Sequence, residues 1–306
     1  MTADSVEPMI EGGPRLVRLG TGAIRVELLP ELGARLHRLK VFGHDLLRTP
    51  SDPRVHIGEP FAWGGYVMAP WCNRIDPVPT AVGESIVSVP ANTPDGTALH
   101  GQVYLAPWQE RGPGFYAVRG GGAGTGWPWP YETTLRVTAA VSGIDRATLT
   151  VGQVLTNLAD GPMPGGVGLH PWFQGPLEIR IAADLVLPSN VDSARSIEDV
   201  SGAFDLRSMG GMPSDLDATW LDPGHPPVEL RWPNLGIQAV MEVTSDAGLC
   251  IVAASPVDAG AVAVEPETHA PQGLRRLLAG DPYGLTWLRP GRSITLITRI
   301  DFERAR

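Results

Sequence analysis

Apolar and polar residues alternate in many short stretches of this chain. The alternation is clear in AIRVELLP (23–30), and it recurs in TTLRVTAAVSG (133–143), ATLTVGQVLTN (147–157) and SITLITRIDFE (293–303). A period of two, with Val, Ile, Thr and Leu at most positions, is typical of β-strands that bury one face. Because Gly, Pro, Asn or Asp bounds each stretch, the pattern predicts many short strands joined by turns.

The same pattern predicts strands in most other parts of the chain. These stretches are 35–48, which divides into two strands around a turn at 43–45, and 84–90, 177–187, 227–233, 236–245 and 248–255. The short SGID link between 133–143 and 147–157 indicates a hairpin. Helical signals are weak, since DATWLD (217–222) and PQGLRRLLAG (271–280) are each expected to hold no more than a turn or a short helix.

Many strands without alternating helices indicate an all-β fold, either a large sandwich or a barrel of antiparallel sheets. The 306 residues include 37 Gly and 30 Pro, which fits frequent turns and few long helices. No Ser/Gly linker or block of like charges divides the chain. We therefore expect a single domain over residues 1–306, in which residues 1–15 form a loosely ordered N-terminal segment.

Charge and hydropathy disfavour several classes of function. A net charge of −9 argues against nucleic acids and anionic membrane surfaces as partners, because both need clustered positive charge. The N-terminus has no apolar signal-peptide core, and Pro256 and Asp258 interrupt the longest apolar run, so we expect a cytoplasmic protein. Cys72 and Cys250 could pair, but they indicate neither a disulfide framework nor a close-spaced metal motif.

Four stretches combine turn-forming residues with side chains that can bind ligands or transfer protons. They are APWCNRIDP (69–77), ALHGQVY (98–104), GLHPWF (168–173) and AVAVEPETHAPQG (261–273). In each of them the polar residue is expected where a strand gives way to a loop. Binding groups commonly lie at such positions on a β scaffold.

Each polar residue also has a purely structural interpretation. His170, beside two aromatic residues, can be a hydrogen-bonded packing residue, and His100 before a glycine can be a turn residue. Glu265 before a proline can be an exposed carboxylate at a strand end, and Arg74 can be a surface charge. Asp217 can be a helix cap. None of these residues decides the matter alone, so the interpretation depends on the whole set.

The ordered motifs resemble those of one family. NRI after PW, then LHG, then PMPGGVGLHPWF, LDATW and VEPETHAP follow the motif order of the aldose 1-epimerases, also called galactose mutarotases. The similarity is greatest to the shorter bacterial branch. It extends from VELLPELGARLHRLKVFGHDLL near the start to LTWLRPGRSITLITRI near the end. Each motif alone is weakly specific, whereas five in this order form a fairly specific signal.

The resemblance implies a galactose mutarotase-like β-supersandwich of large antiparallel sheets, with a sugar in an open cleft and no cofactor or metal. Glu265 matches the catalytic base of the family, and His170 matches its catalytic acid. The candidates for substrate binding are His100, Arg74, Asp217, Asn73 and Trp172. Trp63 and Trp71 are further candidates for packing on the apolar face of the sugar.

Anomer exchange suits these residue types. A base removes a proton from the C1 hydroxyl and an acid delivers one to the ring oxygen. The opened sugar then rotates about C1–C2 before it closes again. A carboxylate and an imidazolium can do this near neutral pH without a metal or a nicotinamide. Because both groups must reach one edge of the sugar, Glu265 and His170 are expected on different strands facing one cleft.

The chain departs from the family pattern at a few positions. HPWF stands where HPYF is usual, and Gln272 stands where an acidic residue is more typical. Glu267 follows Glu265 by two residues and Asp215 precedes Asp217 by two, so each is a second candidate for the role of its neighbour.

Four functions fit the sequence to different degrees. The first is an aldose 1-epimerase acting on a free hexose or pentose, as a monomer or a homodimer. A hexose-6-phosphate mutarotase would need positive charge at the rim of the cleft, for which Arg275 and Arg276 are available. A non-catalytic sugar-binding protein would not need a matched acid and base. A metal-dependent β-sandwich enzyme is disfavoured, because His100 and His170 lack close ligand spacing.

Overall fold

The computed structural model describes residues 13–76, 78–188 and 196–304. Most of the expected loosely ordered N-terminal segment, residues 1–12, lies outside the described residues. The strands are, in chain order, β1 Val17–Leu19, β2 Ile24–Leu29, β3 Arg35–Val41, β4 His44–Asp45, β5 Gly65–Met68, β6 Arg74–Ile75, β7 Thr80–Val82, β8 Ser85–Val87, β9 Ala98–Leu99, β10 Gln109–Gly112, β11 Phe115–Gly120, β12 Tyr131–Gly143, β13 Arg146–Asn157, β14 Met163–Gly165, β15 Gly168–Gln174, β16 Glu178–Ile181, β17 Leu185–Leu187, β18 Glu198–Asp199, β19 Gly210–Gly211, β20 Asp217–Leu221, β21 Val228–Trp232, β22 Ile237–Ser245, β23 Cys250–Ala254, β24 Ala261–Glu267, β25 Thr286–Leu288 and β26 Ser293–Arg304. The α-helices are α1 Val55–Gly58 and α2 Gly273–Leu278, and 3₁₀ turns lie at Gly202–Phe204 and Pro233–Leu235.

Most of these strands belong to two large antiparallel sheets. The first sheet contains 11 strands in the order β1-β2-β3-β5-β15-β24-β23-β20-β17-β18, with β4 paired to β3. The second contains 9 strands in the order β10-β11-β12-β13-β26-β22-β21-β16-β19. The expected all-β, galactose mutarotase-like architecture of large antiparallel sheets is therefore confirmed.

Alternating burial along the central strands explains why the two sheets pack face to face. In β13 nearly every second residue is buried, and its neighbour β26 shows the same period. Val67, Leu169 and Val264 of the first sheet lie in the same hydrophobic core as Leu135 and Val151 of the second. Removal of this apolar surface from water is the main force that holds the sheets together.

The outer face of the first sheet carries a different set of side chains. Tyr66, Trp172 and Ala263 belong to a separate buried cluster. Successive side chains of a strand point to opposite faces, so His170 shares this outer face with Trp172, and Glu265 shares it with Ala263. The candidate site therefore lies on the face of the first sheet that points away from the second sheet.

Several local predictions agree with the structure. The hairpin between β12 and β13 turns through 144–145, because Gly143 pairs with Arg146. The weak helical signal of 271–280 corresponds to α2. The single strand expected over 177–187 is instead two strands, since the chain leaves the second sheet after β16 and enters the first at β17.

Besides the single strand expected over 177–187, two further predictions about local structure are wrong. The DATWLD stretch forms β20, so Asp217 begins a strand and caps no helix. His170 and Glu265 lie inside β15 and β24 rather than where a strand gives way to a loop. The prolines that follow them, Pro171 and Pro266, suggested strand ends because proline cannot donate to a ladder.

These prolines are tolerated because the ladder between β15 and β24 is interrupted around them. Registered pairs are present at Gly168–Glu267 and again from Trp172–Ala263 onwards, with none between. Pro171 and Pro266 lie in this interval, so their lack of an N–H group disrupts no registered pair between β15 and β24. The interruption coincides with the position of the two candidate catalytic residues.

Within the described residues, no helix has the length and apolar character needed to cross a membrane. Cys72 and Cys250 are buried and free. Burial raises the pKa of both thiols, which keeps them protonated and lets them pack as small apolar side chains.

Candidate active site

One row of side chains crosses the outer face of the first sheet and contains both candidate catalytic residues. His170 of β15 pairs with Tyr66 of β5, and Glu265 of β24 pairs with Val252 of β23. The registered pairs on either side of the interruption place His170 opposite Glu265. Residues separated by 95 positions in the sequence numbering are thereby brought together by strand register.

His170 and Glu265 are in direct contact. Nε2 of His170 lies 3.2 Å from Oε1 of Glu265, and the side chains are only 6% and 4% exposed. The ring of Tyr66 stacks on that of His170 with centroids 4.4 Å apart, which restricts rotation of the imidazole. Among the described residues, Nδ1 of His170 and Oε2 of Glu265 have no hydrogen-bond partner, so each can still bind a ligand oxygen.

Burial shifts the proton equilibria of this pair in opposite directions. Burial lowers the pKa of His170 to about 3, and the charge of Arg35 acts in the same direction. Burial raises the pKa of Glu265 well above its usual range, and the charges of Glu267 and Asp217 raise it further. In the unliganded site the proton of the pair therefore rests on Glu265, next to a neutral imidazole.

His100 reaches the same face from the loop after β9. Its φ of 59° is left-handed, and two hydrogen bonds with Asn73 fix it there. The His100 N–H donates to the Asn73 carbonyl at 3.0 Å, and the Asn73 N–H donates to His100 Nδ1 at 3.2 Å. Burial, followed by the charges of His170 and Arg74, lowers the pKa of His100 well below its usual range. The neutral ring must then carry its proton on Nε2 and act as a hydrogen-bond donor.

Asn73 directs its side chain to a second buried carboxyl group. Its Nδ2 donates to Oε1 and Oε2 of Glu267 at 3.0 and 2.9 Å. Glu267 is completely buried and lies two residues after Glu265 on the same face of β24. The amide of Asn73, expected from the sequence to bind substrate, is thus engaged within the protein.

Arg74 lies at the edge of this cluster. It belongs to β6 and pairs with Leu99, the residue before His100. Its Nε donates to Asp95 Oδ2 at 3.1 Å, and its side chain is 20% exposed. The carboxylate of Asp95 therefore fixes the direction of this guanidinium group.

The charge of Asp217, rather than that of its neighbour Asp215, raises the pKa of the buried carboxyl groups. Asp217 is exposed at the start of β20, opposite Ala254 of β23. After burial and Glu267, it is the next cause of the raised pKa of Glu265. Asp215 is exposed, and its N–H is bonded to the carbonyl of Ser255. The structure thus favours Asp217 as the carboxylate near the reacting groups.

Trp172 forms part of an aromatic wall beside His170. Their ring centroids are 5.2 Å apart, and the indole N–H donates to the Phe61 carbonyl at 2.7 Å. Phe61 in turn contacts the ring of Tyr104 at 4.8 Å. Phe61 and Tyr104 are only partly buried, so they offer apolar surface next to the polar groups.

The other two tryptophan candidates are placed differently. Trp71 is buried in the main core against Trp127, which leaves it no face for a sugar. Trp63 is partly exposed, and the guanidinium of Arg48 lies 4.0 Å from its ring centroid. One face of the Trp63 indole is thus already covered by a cation.

A buried cation next to this face was not predicted from the sequence. Arg35 is completely buried and donates to His56 Nδ1 at 2.8 Å, and His56 Nε2 lies 3.0 Å from Nδ1 of His37. The guanidinium carbon of Arg35 is 5.4 Å from the ring centroid of Tyr66. Tyr66 and Arg35 carry no local motif, and only the sheet register shows that they adjoin His170.

Three side chains at the site have donor atoms close enough for a metal ion. The donor atoms of His100, His170 and Glu265 lie within 4.8 Å of one another, although the sequence spacing of the histidines argued against it. A histidine ligand usually donates a hydrogen bond from its other ring nitrogen. In His100 that nitrogen accepts one instead, so the remaining Nε2 carries a proton and is a poor ligand. The donor set fits a metal ion badly.

Known proteins share this fold. A galactose mutarotase-like protein from Clostridium acetobutylicum has a TM-score of 0.81 and 16% identity, with 97% of each chain covered. Galactose 1-epimerase from Lactobacillus acidophilus NCFM has a TM-score of 0.72 and 15% identity, with 95% of each chain covered. An aldose epimerase homologue from C. elegans has a TM-score of 0.72 and 16% identity, over 95% of this chain and 99% of that one.

The sequence itself matches the aldose 1-epimerase family over residues 15–301. A search of curated proteins found no significant match. The family match covers nearly the whole chain, and the shared fold agrees with it. The chain belongs to the aldose 1-epimerase family.

Proposed function

We propose that the protein is an aldose 1-epimerase that interconverts the α and β anomers of a free aldose, with Glu265 as base and His170 as acid. The direct contact of these two side chains on one face of the sheet is the observation that carries this proposal. Family membership supports an isomerase acting on a sugar. The sequence-based expectations of a cytoplasmic location and a monomeric or homodimeric state stay predictions.

The unliganded pair holds the one proton that the reaction needs. Movement of this proton from Glu265 to His170 creates the carboxylate base and the imidazolium acid together, without a change in proton count. Glu265 then takes the proton of the C1 hydroxyl while His170 protonates the ring oxygen, and the C1–O5 bond breaks to give the aldehyde. After rotation about C1–C2, both residues reverse their roles and the ring closes on the other face.

Neighbouring side chains bind and orient the sugar. The Nε2–H of His100 donates to an oxygen at the reacting edge, where it stabilises negative charge that develops during ring opening. Arg74 and Asp217 bind hydroxyl groups farther from C1. Trp172 with Phe61 provides apolar surface for a sugar face.

The charges around the site favour an unphosphorylated substrate. Arg74 is paired with Asp95 at 3.1 Å, and Arg276 of α2 is paired with Asp281. A phosphate group would have to compete with these carboxylates for the guanidinium groups.

The test is anomer exchange measured directly. Exchange spectroscopy by NMR on equilibrated glucose, galactose, xylose and arabinose would show faster α–β exchange in proportion to protein concentration. Glucose 6-phosphate and galactose 6-phosphate form the matched arm. Acceleration confined to the phosphates would favour the hexose-6-phosphate alternative, and saturable sugar binding without exchange would favour a non-catalytic sugar-binding protein.

A further inference from the structure

Glu267 is a buried carboxyl group for which anomer exchange itself has no need. It is completely buried, and it points to the same face of β24 as Glu265. The two Cα atoms are about 6.5 Å apart, given the rise of an extended strand. Burial raises the pKa of Glu267 to about 8, while the hydrogen bonds from Asn73 act in the opposite direction.

Within the described part of the chain, the surroundings of Glu267 offer hydrogen bonds but no cation. Both of its oxygens accept from Nδ2 of Asn73, at 3.0 and 2.9 Å. The other titratable groups that act on it electrostatically are Glu265 on its own strand, Tyr66 of β5, Asp217 of β20, Cys250 of β23 and Cys72 of the loop after β5. No cationic side chain is among the causes that shift the pKa of Glu267.

The backbone makes room for this carboxyl group. Gly168 is the residue of β15 that pairs with Glu267. A Cβ atom at position 168 would lie 2.7 Å from Cys72 Sγ and Met68 Cε, and 3.1 Å from Cγ of Glu267. A side chain at position 168 would therefore displace the side chain of Glu267 from its buried position.

Asn73 connects Glu267 to the rest of the site. Its side chain holds Glu267, while its backbone N–H and carbonyl both bond to His100. The φ of 53° at Asn73 allows both sets of contacts from one residue, and asparagine tolerates this left-handed conformation well. The position of Glu267 is thus fixed by the same residue that fixes the tautomer of His100.

We propose that Glu267 is a positioning residue for proton transfer, whose carboxylate, held by Asn73, keeps the transferable proton on Glu265 and His170 as the pH rises. This inference rests on the proposed function, because the proton matters only if the pair exchanges anomers. Because the pKa of Glu267 is raised to about 8, its negative charge develops as the pH rises through this value, and the charge makes removal of the proton of the neighbouring pair harder. The charge therefore sets the upper limit of the pH range over which the pair holds one proton.

The test compares Glu267→Gln with the wild-type protein. Glutamine keeps the shape and can still accept from Asn73, but it removes the charge. We expect the alkaline limb of the profile of kcat/KM against pH to move to lower pH, so that the ratio of the rates at pH 7 and pH 9 rises several-fold. Glu242→Gln is the matched control, because Glu242 lies in the second sheet beside exposed His225, and its profile should match that of the wild type.

A direct titration separates this inference from the proposed function. With ¹³C-labelled glutamate carboxyl groups, the Glu265 resonance, assigned by its loss in Glu265→Gln, should titrate at lower pH in Glu267→Gln. If the titration midpoint of Glu265 is the same in the wild-type protein and in Glu267→Gln, Glu267 does not affect the pair and the inference is wrong. A moved midpoint in a protein without any exchange activity would support the coupling and overturn only the proposed function. Glu267→Met removes the same charge and replaces Glu267→Gln if that variant does not fold.

Discussion

His170 and Glu265 face each other across two adjacent antiparallel strands, with Nε2 of the histidine 3.2 Å from Oε1 of the glutamate. Two residues on rigid strands hold this geometry more accurately than loop residues could. Burial lowers the pKa of His170 and raises that of Glu265, so the unliganded pair holds one proton, on Glu265. This relationship leads to the first prediction.

Removal of either partner should abolish exchange while the fold remains. We expect Glu265→Gln and His170→Asn each to reduce kcat by about 10²–10⁴-fold, the usual contribution of a positioned acid or base. Exchange spectroscopy measures the rate, and circular dichroism with thermal unfolding checks the fold.

The control uses a second His–Glu pair in the same protein. His225 and Glu242 lie 3.9 Å apart on the surface, with side chains 76% and 45% exposed. Glu242→Gln and His225→Asn should keep the wild-type rate. Full activity in the Glu265 or His170 variants would show that the assignment of base and acid is wrong.

His100 provides a second prediction, which concerns binding and charge stabilisation rather than proton transfer. His100→Asn keeps the left-handed backbone conformation, which asparagine accepts, but loses the Nε2–H. One hydrogen bond to a charged or developing oxyanion contributes about 1.5–3 kcal/mol, so kcat/KM should fall by about 10–100-fold. The pH profile should keep its shape. A profile that loses one limb would instead indicate that His100 is the acid or the base.

The sequence predicted the fold class better than the local setting of the candidate site residues. Period-two alternation predicted β12, β13 and β26 with ends accurate to about two residues, because alternation follows directly from burial of one face. The DATWLD segment was misread, since a short apolar run can form a strand or a helix and only pairing with β23 decides.

Other features depend on register and could not be read from one sequence. Tyr66 stacks on His170 because β5 pairs with β15, and no local motif marks that tyrosine. The role of Asn73 depends on Glu267, which lies 194 positions away. The sequence showed that Glu267 was an ambiguous neighbour of Glu265, but burial and hydrogen bonds were needed to separate the two.

Metal removal gives a third prediction. Although donor atoms of His100, His170 and Glu265 lie within 4.8 Å, the Asn73 N–H occupies Nδ1 of His100 and leaves its proton on Nε2. We expect protein dialysed against EDTA to retain its full exchange rate, and added Zn²⁺ not to increase it. Loss of activity on chelation, with recovery on adding a divalent metal, would overturn the acid–base proposal in its metal-free form.

The last prediction concerns stability at acid pH. Five of the seven histidines are buried, namely His37, His56, His100, His170 and His269. Burial lowers the pKa of His37 and His269 to about 4 and that of His170 to about 3. Between these values and the usual 6.5, the unfolded chain binds more protons than the folded one, so stability must fall as pH falls.

The buried carboxyl groups have the opposite effect on stability, because their contribution decreases as the pH rises. Because burial raises the pKa of Glu265 and Glu267, the folded protein binds more protons than the unfolded chain between about 4.5 and 8. Their contribution to stability is therefore lost as pH rises. Five histidines outweigh two carboxyl groups below pH 6.5, whereas only the carboxyl groups act above it, so maximum stability is expected near pH 6.5.

Urea unfolding at constant ionic strength, followed by tryptophan fluorescence, measures both sides of this maximum. Each buried histidine should cost about 2 kcal/mol of the free energy of unfolding when the pH falls from 6.5 to 5. Glu267→Gln should flatten the decline above pH 6.5 and steepen the fall from pH 6.5 to 5, because the carboxyl group that it removes opposes the effect of the histidines in that range. A free energy of unfolding that stays constant between pH 6.5 and 5 would mean that these histidines are not held neutral in the folded protein. The neutral state assigned to His170 in the unliganded site would then be wrong as well.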